Sequence, residues 1–150
     1  MKTTIRKATT EDLNELAVLF DQYRMFYHKT SDTHTAKQFL EERIQQKDSE
    51  ILVAELDGKL IGFTQLYPLF SSTRMKKYWL LNDLFVAAEF RGIGASKLLL
   101  EEAKNVCQQT QACGILLETG KENQIGNQLY PACGFELYNH ANFYEWTNPK

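Results

Sequence analysis

The sequence predicts an α/β fold: one central sheet, mixed but mostly antiparallel, flanked by helices. Three observations carry this. Two segments with apolar residues at helical spacing follow a short strand pattern, a strong hairpin signal sits at Asp57-Gly58, and an apolar run ending near Val86 feeds a glycine turn, a helix pattern and a further apolar run. The last arrangement is a βαβ unit, which places two parallel strands in an otherwise antiparallel sheet.

Taken in order, "TTIRKA" alternates like a strand, and Thr9 with Asp12 three residues on forms a capping-box pattern. Leu13, Leu16, Ala17, Phe20 and then Arg24 or Tyr27 continue at helical spacing, so a helix starts here with one apolar face. Ser31 or Asp32 can cap a second helix, in which Ala36, Phe39, Leu40 and Ile44 keep the period until "QQKDSE". "EILVAELDGKLIGFTQLYPLF" reads as two strands around the Asp57-Gly58 turn, "SSTRMKK" as a loop, and "YWLLNDLFV" as a further strand. Leu98, Leu99, Ala103 and Val106 mark an amphipathic helix, "CGILLET" a buried strand, "NQIGNQLYPACG" a short helix closed by glycine, and "FELYNHANFYEW" a final strand pair.

With 150 residues, 43% of them hydrophobic and 24% charged, and no repeat or linker, a single domain over residues 1–150 with its own core is expected. Net charge is −2, which lacks the basic footprint of a nucleic-acid binder. The opening "MKTTIRKATTEDL" has no apolar signal region and no run approaches membrane-spanning length, so a cytoplasmic location is expected, with no membrane partner. Cys107, Cys113 and Cys133 are odd in number and lack metal-ligand spacing, which reads as reduced thiols. His28 and His34 have no metal-type companions, and no metal is expected.

The most informative stretch is "FVAAEFRGIGASKLLLEE". A strand that ends in a glycine turn and opens a helix leaves backbone N–H groups unpaired at the positive end of the helix dipole, a ready site for phosphate. Glycine permits positive φ and close backbone approach, and Arg91 can add a charge-assisted contact; a plain tight connection is the alternative. A P-loop fails because Lys97 follows Ser96 without the required spacing. The dinucleotide pattern fits Gly92 and Gly94 but meets Lys97 where a third glycine or alanine belongs, although Glu118 stands roughly where its ribose-binding acid would be.

A third pattern is Arg91-x-x-Gly94-x-Ser96, preceded by "DLFV" and followed by a helix. Here the chain resembles the GNAT superfamily of acetyl-CoA-dependent N-acetyltransferases, whose signature at this point is Gln/Arg-x-x-Gly-x-Gly/Ala, with Ser96 as a departure at its last position. The likeness runs from "IRKATTEDL" through the hairpin and "LNDLFV" to "LETGKENQIGNQLYPACGF". It implies a GNAT-like fold with the βαβ unit at the coenzyme site. It also implies an acyltransferase that passes the acetyl group of acetyl-CoA to a primary amine by direct attack through a tetrahedral intermediate. The acceptor would be a small amine or polyamine, a lysine or an N-terminal amine. A non-catalytic acetyl-CoA- or nucleotide-binding domain is the alternative.

By that resemblance the turn amides of Gly92, Ile93, Gly94, Ala95, Ser96 and Lys97 would cradle the coenzyme pyrophosphate, with Arg91 introducing the turn. Leu84, Phe85 and Val86 would pair with the pantetheine arm through the main chain. Asn123 matches an asparagine that contacts the coenzyme, although a helix cap is its other reading. An alkyl amine titrates near ~10.4 and a thiol near ~8.5, so transfer benefits from a base and an acid. Tyr130 matches the family's general acid, or else simply packs under its helix. Asp83 and Glu118 are candidate bases, or else solvated strand-end acids, and the Val86 N–H is the candidate oxyanion donor. "LNDLFVAAEFRGIG" is similar to the same segment of diamine (spermidine/spermine) acetyltransferases, except that Asn82 stands where those have glutamate. Tyr23, Arg24, Tyr27 and Asp32, with Asn82, are the expected acceptor-binding set, and the resemblance implies a homodimer.

Overall fold

The computed structural model describes residues 2–150. The chain forms β1 (Thr4–Lys7), α1 (Leu13–Phe26), α2 (Thr33–Gln46), β2 (Glu50–Leu56), β3 (Lys59–Ser71), β4 (Lys76–Val86), α3 (Ala95–Gln109), β5 (Ile115–Leu117) and α4 (Gln124–Ala132). Its contacts divide it into two compact units, Met1–Glu118 and Thr119–Lys150.

The first unit carries a five-stranded sheet in the order β1-β2-β3-β4-β5. β1 to β4 pair antiparallel in sequence, and β5 joins β4 parallel through α3, which is the mixed α/β fold expected. The β2–β3 turn places Asp57 at φ 52° and Gly58 at φ 77°, the pair of positive φ values that a two-residue hairpin turn requires. Strands β3 and β4 run further than the sequence suggests. Ser71, Lys76 and Lys77 of "SSTRMKK" are drawn into their ladder, since each added register pair, such as Ser71 with Lys76, satisfies backbone groups that a loop would leave to water, while residues 72–75 form the turn.

Alternation sorts the side chains onto two faces. Ile51, Val53, Phe63 and Phe85 share one core with Leu13, Leu16, Ala17, Phe20, Ala36 and Leu40 of the two helices, and Phe20 stacks on Phe39 at 5.8 Å. Leu16, Leu40, Val53 and Phe63 are fully buried, each of the larger ones contributing about 1.5–3 kcal/mol by leaving water. The opposite face is covered by α3 through Leu99, Leu100 and Ala103, and Trp79 Nε1 donates to Thr110 Oγ1 at 2.9 Å just past that helix.

The helix ends follow their local chemistry. Asp12 accepts from the Thr9 N–H at 2.8 Å as the capping pattern requires, and the Arg6 fork grips both its oxygens at 2.8 Å. Those Arg6 bonds hold the Asp12 carboxyl below its usual range. The turn Thr10–Asp12 is 3-10 before α1 proper begins. At the far end of α1 the His28 N–H reaches the Met25 carbonyl and the Lys29 N–H the Arg24 carbonyl, with His28 in the left-handed region at φ 65°, a Schellman close.

In the second unit α4 starts at Asn123 and closes through Gly134 at φ 90°, with the Phe135 N–H on the Tyr130 carbonyl. The expected strand pair "FELYNHANFYEW" does not form: residues 135–150 hold no regular element, and Leu137, Phe143, Tyr144 and Trp146 are exposed. An isolated two-stranded ribbon is marginal in water, and aromatic β-propensity alone does not supply a ladder. Strand β5 is also half-buried instead of buried, because it is three residues long and lies at the sheet edge.

Candidate functional site

Strand β4 governs the first unit's site. Its register with β3 shifts between Gln65 and Leu66, so that Asp83 pairs with Gln65 and Leu81 with Leu66 while Asn82 bulges out. The Ala87 N–H donates to the Ile61 carbonyl. With Phe63 opposite Phe85, antiparallel alternation then turns the N–H groups of Leu84 and Val86 away from β3. On that side β5 accompanies β4 only from Trp79 to Leu81. Within this unit no strand pairs with Leu84, Phe85 and Val86 on their outer edge, the segment expected to take up an extended arm. The bulge itself sits at Asn82.

Beyond Val86 the chain makes a short 3-10 turn, Ala88–Phe90, and enters the glycine stretch. Gly92 and Gly94 have φ of 84° and 88°, and a Cβ added at either would meet no atom within 4 Å. The glycines are therefore there for backbone shape and for open space above the turn, not for packing against the chain. Gly94 is the N-cap of the 15-residue α3, and the first helical amides, from Ala95, Ser96 and Lys97, have no carbonyl one turn back inside the helix. Gly92, Ile93, Gly94 and Lys97 are exposed, Ser96 is half-buried and Ala95 is buried.

Arg91 has a second task. Its Nε donates to the Val86 carbonyl at 2.9 Å and its guanidinium lies 5.5 Å from the Phe85 ring and 5.9 Å from that of Phe26. The side chain ties the end of β4 to the turn. Beneath that end, a Cβ on Gly62 would stand 2.7 Å from the Phe85 carbonyl oxygen and 3.1 Å from a Val86 methyl. Gly62 sets how closely β3 approaches the end of β4, a role that one glycine in a strand pattern signals only weakly.

Asp83 is 2% exposed and faces α1 and α2. Gln65 Nε2 donates to its Oδ2 at 2.6 Å and Asn82 Nδ2 to its Oδ1 at 2.9 Å. Burial pushes its carboxyl up, against the pull of the Gln65, Asn82 and Tyr23 hydrogen bonds. The Tyr23 hydroxyl donates to the Asn82 carbonyl at 3.1 Å, and its own ionisation is driven far up by burial and by Asp83. Tyr27 stands edge-on to Tyr23 at 5.2 Å. Tyr67, on the same face of β3, is pushed up to about 12, first by burial and then by Asp83.

The structure thus brings Tyr23, Tyr27, Asn82 and Asp83 together. Arg24 and Asp32 bond within the α1–α2 connection: Arg24 Nη1 donates to the Thr30 carbonyl at 3.1 Å, and Asp32 Oδ1 accepts from the Thr35 N–H at 3.1 Å as the cap of α2. Both secure the α1–α2 connection, and the capping bond lowers the Asp32 carboxyl. Glu118 is exposed one residue past the Leu81–Leu117 pair, beside the Asn82 bulge. Gln65 and Ser49, whose hydroxyl donates to Gln65 Oε1 at 2.9 Å, escape sequence reasoning. The signal available was one amide in the apolar run "LIGFTQLYPLF", on the alternation phase of Phe63.

In the second unit Asn123 caps α4, its Oδ1 accepting from the Gly126 N–H at 3.1 Å while its Nδ2 donates to Thr119 Oγ1 at 2.9 Å. Tyr130 is half-buried, with its ring edge-on to Phe135 at 6.0 Å. Among the described residues no group of three or more His, Cys, Asp or Glu side chains is placed to hold a metal, and no helix is long and apolar enough to cross a membrane.

Comparison with known proteins agrees with this architecture. Residues 14–135 match the model of the acetyltransferase (GNAT) family. An uncharacterized N-acetyltransferase of Bacillus subtilis (strain 168), YhfO, is 46% identical over 132 residues, covering 88% of this chain and 89% of its own. A probable acetyltransferase of Haemophilus influenzae is 29% identical over 87% of this chain and 88% of its own. A crystal structure of a probable acetyltransferase superposes with a TM-score of 0.93 at 36% identity, over 98% of this chain and 99% of that one. Sheet order, glycine turn and sequence relationship agree, and the chain belongs to the GNAT acetyltransferase family and is an acetyltransferase.

Proposed function

We propose that the chain transfers the acetyl group of acetyl-CoA to a primary amine. The observation that carries this reading is the pair Gly92 and Gly94, held at positive φ under open space at the start of α3, beside the outer edge of Leu84–Val86, which β5 does not reach. That donor set suits acetyl-CoA: helix-start amides for a pyrophosphate and a free strand edge for an amide-bearing arm. When bound, acetyl-CoA supplies an activated acetyl group and a thiol leaving group.

The chain's own groups divide the remaining work. Amides from Gly92 to Lys97 bind the pyrophosphate, and Leu84, Phe85 and Val86 orient the arm through the main chain. The Val86 N–H, turned away from β3, donates to the negative charge that builds on the carbonyl oxygen. Asp83 takes the proton from the amine, directly or through one water, and its raised pKa brings it closer to neutrality than an ordinary carboxylate. Tyr23, Tyr27 and Asn82 wall the acceptor side, whereas Arg24 and Asp32 are left to the loop they hold. Assignment of Tyr130 as the proton donor to the thiol, and of Asn123 to coenzyme contact, is supported by their match to the family pattern. The same reading makes the protein a cytoplasmic homodimer, with the exposed aromatic segment 135–150 as the surface a partner copy would cover.

Calorimetric titration with acetyl-CoA, with NADH and ATP run beside it, tests this function. Binding of acetyl-CoA alone, followed by thiol release with a panel of amines, supports it. Binding of NADH or ATP alone overturns it and assigns the turn to a nucleotide.

A further inference from the structure

A polar chain with Gln65 and Asp83 buried at its centre is not required by acetyl transfer as such, yet it ends on the carboxylate assigned as base. The Ser49 hydroxyl donates to Gln65 Oε1 at 2.9 Å, Gln65 Nε2 donates to Asp83 Oδ2 at 2.6 Å, and Asn82 Nδ2 donates to Asp83 Oδ1 at 2.9 Å. Gln65 is fully buried, in a face otherwise formed by Ile51, Val53, Phe63 and Phe85. An amide in such a place is costly unless both its ends are satisfied. Here both are: the Ser49 hydroxyl can serve either end of an amide, whereas an ionised carboxylate only accepts, so Asp83 takes the NH₂ end and Oε1 is left to the Ser49 O–H.

An NH₂ group donates and does not accept, so this end of the chain matches a carboxylate and leaves a protonated Oδ2 facing another hydrogen. We propose that Gln65, backed by the Ser49 hydroxyl, is a positioning residue that holds the Asp83 carboxylate ready to accept the amine proton. The proposal rests on the reading of Asp83 as base. Gln65 acts without touching substrate, by offsetting the burial of a charge that has no ion-pair partner among the described residues: the groups that set the Asp83 ionisation are its burial and the hydrogen bonds of Gln65, Asn82 and Tyr23. The titratable neighbours are Tyr23 from α1 with Tyr27 behind it, and Tyr67 from β3, on which Arg43 of α2 and Asp48 also act. Glu118 follows β5 beside the Asn82 bulge.

The test follows the Asp83 carboxyl itself, by NMR titration of the whole chain labelled with 13C at aspartate carboxyl carbons, the signal assigned by its loss in Asp83→Asn. Gln65→Met, close in volume, removes the donor, and Ser49→Ala at a half-buried position loosens it without opening the core. Gln65→Met raises the Asp83 midpoint by about one pH unit, the order expected for loss of a hydrogen bond to the charged form, and Ser49→Ala raises it by less. The acid limb of kcat/KM moves up with it for the amine found by thiol release. A midpoint unmoved in both variants overturns the role of Gln65. If Asp83→Asn keeps full activity while the midpoints move as expected, Gln65 still holds the carboxylate but the base lies elsewhere, which overturns the catalytic part of the proposal. Should Gln65→Met not fold, Ser49→Ala alone decides.

Discussion

Replacing Gly94 with alanine separates what the turn costs the fold from what it does for the ligand. At φ 88° an L-residue is strained by roughly 1–2 kcal/mol, and no clash is added, because the new Cβ would meet nothing within 4 Å. For a chain of this size that strain lowers Tm by about 2–4 °C per kcal/mol. Gly58 offers a matched control: its φ is 77°, its Cβ position is equally empty, and it lies in the β2–β3 turn. Gly58→Ala and Gly94→Ala should therefore lose similar thermal stability.

Their effects on acetyl-CoA should differ. A methyl group at Gly94 stands in the open space over the turn and keeps a pyrophosphate from the amides behind it. Hydrogen bonds to a charged group are worth about 1.5–3 kcal/mol each. Losing two of them weakens binding by roughly 10²- to 10⁴-fold at 1.4 kcal/mol per tenfold. Differential scanning calorimetry gives the first quantity and titration calorimetry with acetyl-CoA the second. Equal affinity in the two variants, both close to that of the unmodified protein, would refute the pyrophosphate assignment whatever the stability data show.

Three further outcomes are expected. Tyr130→Phe should lower kcat by about 10²- to 10⁴-fold, the usual span for a lost general acid, with acetyl-CoA affinity unchanged; an unaltered kcat with a good acceptor removes the assignment. Gly62→Ala should cost about 1–3 kcal/mol by overpacking and also weaken acetyl-CoA, because the added carbon presses on the Phe85 carbonyl and the Val86 methyl; a stability loss with unchanged affinity would confine that contact to packing. Asp83 carries a pH signature. Its folded pKa is raised, so its contribution to stability is fully present below the unfolded carboxyl value and is lost as pH rises through the folded one. The Tm of Asp83→Asn relative to the unmodified chain should therefore be more favourable at pH 7 than at pH 4, and the reverse order would contradict burial as the dominant cause.

The sequence was most legible where function depends on backbone conformation. Asp57-Gly58, the Gly92/Gly94 turn and the Gly134 close each require positive φ, and glycine in those contexts announces it. The helices were legible because their apolar period reports one buried face. The segment 135–150 was not, because aromatic composition reports that a stretch would suit a strand, not that a neighbouring strand is in place to pair with it. Arg24 and Asp32 read two ways for a related reason. Polar residues beside a candidate site look like substrate contacts, yet a helix end and a tight connection need the same groups to satisfy their own backbone.

The Asp83 environment shows how a pairing detail hidden from the sequence produces the chemistry. In "LLNDLF" strict alternation would put Leu81 and Asp83 on the same face and Asn82 on the other. Leu81 pairs with Leu66 and Asp83 with Gln65, so the extra residue at Asn82 sets Leu81 toward α3 and turns Asp83 toward α1 and α2. One inserted residue therefore keeps a leucine in one core while burying a carboxylate in the other, where Gln65 and Tyr23 await it. It also falls where β5 stops pairing, so the segment that follows, Leu84 to Val86, leaves its outer edge unpaired by strand in this unit. Deleting Asn82 would make Leu81–Leu66 and Asp83–Gln65 consecutive rungs of a regular ladder, keeping both faces while removing the bulge. Such a deletion should therefore keep Asp83 buried against Gln65 in a chain whose helices persist by circular dichroism, and loss of the Asp83 titration would show that the bulge, not the pairing with Gln65, holds the carboxylate.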